Sequence, residues 1–314
     1  MPKPLIVFST ECSAYLRTAL CNYHTCEAGK LEVRTFPDGE RYLRILTECI
    51  DRDVVVLGGT ISDADTLNLY DLACATVGQG ARSMTLIIPF FGYQTMERRV
   101  RRGEVVVART RARLFSAIPP AGLGNRVVLV DLHSEGIAHY FSGEVRPVHL
   151  HARRLILDEI RQLGGNDFVL GATDAGRAKW VESLANDLGV EAAFILKRRL
   201  GDGTTQVTAL AAEVRGRKVV IYDDLIRTGG SLIGAAKAYI EEGATSVAAV
   251  ATHGVLPGDS LQRIIKSGLF TEVVCTDSHP RAVELANQSQ FSVVSIANLL
   301  ADFLKGRPTG SLPE

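Results

Sequence analysis

Two adjacent carboxylates and a loop rich in glycine and hydroxyl groups lie close together in the second half of the chain. Asp223 and Asp224 follow the apolar run 219–222, which predicts a buried strand. Beyond them stand four small residues: Thr228, Gly229, Gly230 and Ser231. Glycines let backbone N–H groups approach an anion, and the start of the helix predicted over 232–240 adds partial positive charge. The carboxylates are explained if the ligand also carries hydroxyl groups, so the stretch predicts a sugar-phosphate site.

A plainer interpretation of this stretch is an acidic strand end followed by an N-capped helix. The Asp-Asp pair ahead of the loop favours a ligand site over that interpretation. The stretch is not a Walker loop, because Gly-Lys-Ser/Thr does not occur in it. It is not a dinucleotide fingerprint either, because G-x-G-x-x-G does not follow the strand.

The elements that would position this site alternate between strands and helices along the chain. The length of 314 residues is typical of two domains, which we place at 1–148 and 149–314. The alternation predicts an α/β fold in which each domain has a mostly parallel central sheet flanked by helices. The run 127–133, VVLVDLH, has a counterpart in 273–279, VVCTDSH, which indicates two diverged copies of one plan. Ligands are expected at the carboxyl ends of the strands.

The composition excludes a general affinity for polyanions. Hydrophobic residues make up 46% and charged residues 22%, and 35 Lys+Arg balance 35 Asp+Glu, so we expect no nucleic-acid or membrane partner. No apolar run approaches the length of a membrane span, and the N-terminus lacks the apolar core of a signal peptide. The six cysteines show no C-x-x-C pair, so we expect free thiols in a reducing cytoplasm.

Three further polar motifs could take part in chemistry. His133 ends a predicted strand beside Asp131, where it suits metal or phosphate binding, although a structural histidine is the more common alternative. Asp174 lies in a second strand-to-helix turn of small residues. Lys197 and Arg199 precede a glycine-rich loop, which fits a mobile arm over phosphates and a solvated hairpin end equally well.

Two features of the first half are less specific. Pro-Asp-Gly at 37–39 predicts a hairpin turn, because Pro presets φ and Gly supplies a positive φ. Seven arginines lie between 97 and 113, and a solvated helix face is the usual interpretation of such a run. The position of the run after a strand end favours phosphate contacts for some of these arginines. Aromatic residues are not interleaved with them, as a nucleic-acid stacking platform would require.

Taken in order, these motifs resemble those of the ribose-phosphate pyrophosphokinases, enzymes that make 5-phosphoribosyl 1-diphosphate (PRPP). The resemblance covers the chain from about residue 4 to about residue 300. The stretch 36–40, FPDGE, resembles the family's F-S-D-G-E loop, and 131–133 resembles its D-L-H. The stretch 197–199 resembles the K-R-R start of its catalytic loop, and 223–232 its ribose 5-phosphate loop. The resemblance implies two tandem phosphoribosyltransferase-like domains.

The resemblance also implies a role for each matching residue. His133 would bind the catalytic metal and ATP phosphates, Asp174 would bind metal and ribose, and Lys197 and Arg199 would stabilise the transferred group. ATP would be contacted, in part across a subunit boundary, by Phe36, Asp38, Glu40 and Arg98. Asp223 and Asp224 would orient the ribose hydroxyls and are candidates for a second Mg²⁺. The 5-phosphate would be bound at Arg227, Thr228, Gly229, Gly230 and Ser231.

The chain departs from the family pattern mainly on the ATP side. Thr95 and Met96 stand where the family has an Arg-Gln pair that holds ATP. The stretch 104–110 matches the family's R-x-P-I-S/T-A-K segment only weakly. Arg227 stands where these synthetases usually have a third Asp, and it could contact a phosphate or point into solvent.

We therefore predict transfer of the pyrophosphoryl group of Mg-ATP to the 1-hydroxyl of ribose 5-phosphate, giving PRPP and AMP. The resemblance implies Mg²⁺ as cofactor, ATP and ribose 5-phosphate as substrates, and a homo-oligomer, either a dimer or a hexamer. Two alternatives stay open. A phosphoribosyltransferase that uses PRPP would explain Arg227, and a non-catalytic regulatory subunit would explain Thr95 and Met96. The presence of His133 and Lys197 favours an enzyme.

Overall fold

The computed structural model describes residues 4–199, 205–210 and 213–306 of the chain, with the backbone alone for Ala175, 196–199 and 205–210. Its Cα atoms group into two compact units. One unit runs to His151 and takes in the segment from Ala297 onward, and the other is Ala152–Ile296.

The first unit is built on a six-stranded parallel sheet. The strands of this unit, including two outside the sheet, are β1 (Leu5–Ser9), β2 (Cys26–Ala28), β3 (Leu31–Thr35), β4 (Arg41–Ile45), β5 (Asp53–Leu57), β6 (Ser83–Ile88), β7 (Asn125–Val130) and β8 (Val145–Leu150). Its helices are α1 (Ala14–Tyr23), α2 (Asp63–Gly78) and α3 (Val107–Ser116). The sheet has the order β2-β1-β5-β6-β7-β8, and all its neighbouring strands are parallel. β3 and β4 form a separate antiparallel hairpin.

The second unit repeats this plan. Its strands are β9 (Phe168–Ala172), β10 (Glu191–Ala193), β11 (Ile195–Arg199), β12 (Thr205–Leu210), β13 (Lys218–Ile226), β14 (Ser246–Gly254), β15 (Phe270–Thr276) and β16 (Phe291–Val294). Its helices are α4 (Arg153–Gly164), α5 (Ala178–Leu188), α6 (Gly230–Glu241), α7 (Ser260–Lys266) and α8 (Pro280–Glu284). The parallel sheet β10-β9-β13-β14-β15-β16 has the strand order of the first unit, and the hairpin β11–β12 comes at the matching place. The predicted α/β fold with two mostly parallel sheets is confirmed.

The last helix, α9 (Ala297–Leu304), is grouped with the first unit, where it packs against α1. Just after α9, the Lys305 side chain donates a hydrogen bond to the carbonyl oxygen of Tyr23 at 2.6 Å. The division at 148 and 149 assigned this segment to the second domain. The compact units differ from that division because α9 packs against a helix from the opposite end of the chain.

Alternating strand residues build the core of each unit. In the first unit, Val56 of β5 and Leu86 of β6 pack in one cluster with Phe115 of α3. In the second unit, Ile221 of β13 packs in one cluster with Tyr239 of α6. Burial of these apolar side chains holds the sheets rigid, so the strand ends are fixed supports for the loops that follow them. Among the described residues, no helix combines the length and the apolar character needed to cross a membrane.

The turn predicted from Pro-Asp-Gly is confirmed. Thr35 of β3 pairs with Arg41 of β4, and the N–H of Phe36 donates to the carbonyl oxygen of Glu40 at 2.8 Å. Gly39 takes a φ of 94°, which glycine adopts without steric cost. Backbone hydrogen bonds and the φ of Gly39 therefore fix the conformation of the tip of the β3–β4 hairpin, residues 36–40.

The expectation of six free thiols is wrong for two cysteines. Cys21 and Cys26 form a disulfide with Cα atoms 5.8 Å apart. α1 ends at Tyr23 and β2 begins at Cys26, so the short connection between them brings the two thiols together. The other four cysteines are free: Cys12, Cys49, Cys74 and Cys275.

Candidate active site

The two acidic residues of the second unit lie within a strand rather than after it. β13 is longer than the predicted run 219–222, because Asp223 pairs with Ala251 of β14 and Leu225 pairs with His253. The partner strand β14 decides where β13 ends, and a local apolar pattern does not report that pairing. The backbone of Asp223 and Asp224 is therefore fixed by the sheet, close to its carboxyl edge.

The loop after β13 turns sharply into α6. Gly229 precedes the helix with a left-handed φ of 78°. A Cβ atom on this residue would lie 2.7 Å from the side chain of Ile264, so glycine meets both the conformational and the steric demand. Thr228 and Ser231 flank the turn, and the first N–H groups of a helix have no acceptor within it. This backbone geometry suits an anion such as phosphate.

A single guanidinium group contacts both carboxylates. Arg177 Nη2 forms an ion pair with Asp224 Oδ2, and Arg177 Nε lies 3.9 Å from Asp223 Oδ1. Thr173 Oγ1 donates a hydrogen bond to Asp223 Oδ2 at 3.0 Å. Thr173 and Arg177 both follow β9, which is the neighbour of β13 in the sheet. The sequence pattern singled out neither residue, since only the sheet order brings them to Asp223.

The two carboxylates also influence each other. Burial, together with the nearby charge of Asp224, raises the pKa of Asp223 to about 8, while Thr173 and Arg177 oppose the rise. These surroundings favour the protonated form of Asp223. A protonated carboxyl beside an ionised one can both donate to and accept from the hydroxyl groups of a sugar.

Two other predicted residues of the second unit are exposed. Asp174 follows β9, and its Oδ1 accepts a hydrogen bond from the N–H of Gly176 at 2.8 Å, which orients the carboxylate. Arg227 lies between β13 and the glycine turn, and it has no ion pair within the described part of the chain. Because β9 and β13 are adjacent parallel strands, Asp174 and the acid pair lie at neighbouring strand ends.

Lys197 and Arg199 lie on β11. Their backbones pair with Val207 and Thr205 of β12, and the register shifts between Leu196 and Lys197. The side chains of Lys197 and Arg199 lie outside the described structure, as do residues 200–204. Their predicted roles therefore stay predictions.

At the matching strand end of the first unit, the chain makes a strained turn. Asp131 follows β7 with a left-handed φ of 37°, which is uncommon for a residue with a side chain. Two side chains hold the next two peptide groups: the N–H of Leu132 donates to His149 Nε2, and the N–H of His133 donates to Gln94 Oε1, both at 2.8 Å. Such strain persists only where the surroundings hold it, and it is concentrated at functional sites.

A cluster that could hold a cation lies at this turn. Asp131, His149 and His151 each offer a ligand atom, and these atoms lie within 4.8 Å of one another. His151 Nδ1 is 3.6 Å from Asp131 Oδ1. The Nε2 lone pair of His149 already accepts the hydrogen bond from Leu132, so a cation at that atom would compete with it. The sequence prediction missed His149, which lies on β8, and His151, which directly follows that strand.

The residues expected to contact ATP lie on exposed segments of the first unit. Phe36 is 46% exposed at the tip of the β3–β4 hairpin. Asp38 Oδ1 accepts a hydrogen bond from the N–H of Glu40 at 3.1 Å, so these two residues shape the turn itself. The Arg98 side chain is 80% exposed, with Nε 3.4 Å from Glu97 Oε1. Within the described part of the first unit, no hydrogen bond or ion pair joins the hairpin tip to Arg98.

Comparison with known proteins gives a consistent result over the whole chain. A profile of the N-terminal domain of ribose phosphate pyrophosphokinase matches residues 5–118, and a profile of the phosphoribosyl transferase domain matches residues 144–283. The ribose-phosphate pyrophosphokinase of Ralstonia nicotianae is 32% identical over 301 residues, which cover 95% of this chain and 93% of that protein. The one from a Marinomonas species is 31% identical over 307 residues, covering 96% and 95%.

A solved structure agrees with these matches. The crystal structure of phosphoribosylpyrophosphate synthetase from Mycobacterium smegmatis matches with a TM-score of 0.86 at 29% identity, covering 97% of this chain and 98% of that one. These matches together cover most of the chain. The chain is therefore an enzyme of the ribose-phosphate pyrophosphokinase family.

Proposed function

We propose that the chain transfers the pyrophosphoryl group of ATP to the 1-hydroxyl of ribose 5-phosphate, producing PRPP and AMP. One observation carries the proposal: Asp223 and Asp224 lie near the end of β13, and a few residues later the left-handed Gly229 directly precedes α6. The pair offers partners for hydroxyl groups, and the helix start offers donors for a phosphate. Family membership favours this reaction over a phosphoribosyltransferase or a non-catalytic subunit.

Ribose 5-phosphate would bind along the strand-to-helix turn of the second unit. Its 5-phosphate would accept hydrogen bonds from the loop Thr228, Gly229, Gly230 and Ser231. Its hydroxyls would meet Asp223 and Asp224, whose positions the sheet fixes. The exposed Arg227 would add a cation close to the phosphate.

Pyrophosphoryl transfer depends mainly on positioning and on neutralising charge. The 1-hydroxyl oxygen attacks the β-phosphorus and loses its proton, and the bond from that phosphorus to the AMP oxygen breaks. Lys197 and Arg199 on β11 would stabilise the charge on the transferred group, because each adds a fixed positive charge. This assignment is supported by their place on β11, which pairs with β12.

Mg²⁺ fits the donor groups near two strand ends. Magnesium prefers carboxylate and phosphate oxygens, and it is usually held by one or two carboxylates together with substrate phosphates. Asp174 in the second unit is an exposed, oriented carboxylate, and His133 in the first unit follows the strained turn at Asp131. We assign His133 and Asp174, each at its own strand end, as residues that would bind Mg²⁺. When bound, Mg²⁺ would neutralise negative charge on the substrate phosphates.

ATP recognition is assigned to the exposed residues of the first unit. Phe36, Asp38 and Glu40 would contact the nucleotide from the hairpin tip, and Arg98 would contact a phosphate. We also propose a homo-oligomer, either a dimer or a hexamer, as the resemblance to the family implies. We also propose a cytoplasmic location, which suits the four free cysteines of the chain.

The proposed reaction is tested by pairing two substitutions on β11. Wild type, Lys197→Ala and Arg198→Ala are assayed for AMP and PRPP formation from ATP, ribose 5-phosphate and Mg²⁺. We expect Lys197→Ala to lose about a hundredfold or more in kcat at an unchanged Tm, the scale of a lost transition-state contact. Arg198→Ala removes the same charge from the same strand and should retain most of the activity. Equal activity in Lys197→Ala and wild type would refute the role given to Lys197.

A further inference from the structure

Arg177 reaches the acid pair from the neighbouring strand end. It closes the short turn Ala175–Arg177 after β9, and its side chain is only 18% exposed. Its Nη2 pairs with Asp224 while its Nε faces Asp223. The guanidinium is a rigid planar fork of donors, so one arginine can hold two carboxylates at set angles.

The position of this guanidinium bears on the charge of the site. Two neighbouring carboxyl groups of which at least one is ionised need a compensating positive charge, and a divalent cation is one common source of it. Here Arg177 supplies that charge from within the chain. A second Mg²⁺ at Asp223 and Asp224 would have to displace the guanidinium or lie against its positive charge. The acid pair therefore does not fit the second metal site that the sequence suggested.

We propose that Arg177 is a positioning residue that readies Asp223 and Asp224 for the ribose hydroxyls, in place of a divalent cation. The inference rests on the proposed function, and it specifies how that site selects its sugar. It has two consequences. Ribose 5-phosphate should bind the second unit without a divalent cation at the acid pair. The preference for ribose over 2-deoxyribose should depend on Arg177, because a carboxylate released from the fork rotates and loses its fixed geometry toward the 2-hydroxyl.

The test compares three substitutions. Arg177→Gln removes the charge and the fork, and Arg177→Lys keeps the charge without the fork. Lys179→Gln is the matched control, because Lys179 is an exposed cation on α5 with no described contact to either carboxylate. Steady-state assays give kcat and KM for ribose 5-phosphate, for 2-deoxyribose 5-phosphate and for ATP. Calorimetric titration of ribose 5-phosphate into protein that holds AMP, in EDTA and in excess MgCl₂, measures binding without turnover.

We expect Arg177→Gln to raise KM for ribose 5-phosphate about tenfold or more, with kcat and KM for ATP within about twofold of wild type. Its preference for ribose over 2-deoxyribose 5-phosphate should fall by a similar factor. Arg177→Lys should show the same loss of preference with a smaller rise in KM. In the titrations, wild type and Lys179→Gln should bind ribose 5-phosphate equally well in EDTA and in MgCl₂. Arg177→Gln should bind weakly in EDTA and recover in part in MgCl₂.

Two results would overturn the inference while leaving the proposed function intact. One is wild-type KM and sugar preference in both Arg177 variants. The other is a lower KM in Arg177→Gln, which would mean that the guanidinium competes with the ribose hydroxyls. A wild-type protein that makes no PRPP and binds no ribose 5-phosphate in either buffer would instead refute the proposed function, and the inference with it. Thermal melts identify a variant that fails to fold, and in that case the sugar preference of Arg177→Lys decides.

Discussion

Gln94 Oε1 accepts a hydrogen bond from the backbone N–H of His133 at 2.8 Å. The two residues are 39 positions apart in the sequence, and Gln94 is only 1% exposed. Its Nε2 has no hydrogen-bond partner among the described residues. The hydrogen bond to His133 therefore orients the side-chain amide of Gln94. The same bond holds the backbone of the turn that carries His133.

Replacing Gln94 should impair catalysis more than substrate binding in the second unit. Gln94→Met removes the acceptor of the part-buried N–H of His133, which costs about 1 kcal/mol of unfolding free energy. We expect kcat to fall about tenfold as His133 moves, with KM for ribose 5-phosphate unchanged. Steady-state kinetics and urea unfolding measure the two effects. Gln79→Met, at an exposed position after α2, is the control, and a wild-type kcat in Gln94→Met would contradict the positioning role.

Two glycines in one loop-helix segment should respond oppositely to alanine. Gly229 has a left-handed φ of 78°, and a Cβ there would meet Ile264 at 2.7 Å. Gly229→Ala should therefore lose about 1–3 kcal/mol of unfolding free energy and raise KM for ribose 5-phosphate. Gly234 lies within α6 with open space around its Cβ position, so Gly234→Ala should gain about 0.5–1 kcal/mol. Urea unfolding measures the change in unfolding free energy of both variants. Changes of the same sign and size in the two variants would contradict this prediction.

The raised pKa of Asp223 predicts a pH-dependent stability. Burial and the charge of Asp224 raise this pKa to about 8 in the folded chain, against about 3.9 in the unfolded chain. A group whose pKa is raised on folding stabilises the protein fully at pH values below its unfolded-state pKa. This stabilisation is lost as the pH rises through the folded-state pKa. Between about pH 4 and about pH 8, wild type should therefore lose stability relative to Asp223→Asn.

Thermal melts across that range, compared for wild type and Asp223→Asn, measure this loss. The difference in Tm should shift steadily in favour of Asp223→Asn as pH rises, and then level off above the folded pKa. Asp71→Asn, at an exposed position on α2, is the control for a general effect of removing one carboxylate. Parallel melting curves for wild type and Asp223→Asn at every pH would contradict the assignment.

Much of the fold follows from local patterns in the sequence. Alternation of apolar strands with helices predicts the two parallel sheets, because such segments bury both faces of each strand. The Pro-Asp-Gly turn predicts the β3–β4 hairpin, because Pro and Gly set the backbone of the turn residue by residue. The loop at Gly229 could also be located, since glycine directly ahead of a helix marks a backbone position that side chains disfavour.

The supporting residues of the site could not be predicted, because distant strands bring them together. Thr173 reaches Asp223 across 50 residues of sequence, and Arg177 follows Thr173 in the same loop. Gln94 and His149 support the turn after β7 from two other segments of the chain. Nothing in the residues around these positions distinguishes them from ordinary polar residues. Their roles follow only from the strand order, which a single sequence specifies less clearly than it specifies the strands.

The products of the reaction test the central claim most directly. Wild-type protein is incubated with ATP, ribose 5-phosphate and Mg²⁺, and the products are identified by ³¹P NMR. The account predicts AMP and PRPP in equal amounts, without ADP, because the β-phosphorus is attacked and two phosphates move together. ADP with a sugar carrying a single added phosphate would contradict it, and so would the absence of turnover in folded protein that binds ribose 5-phosphate.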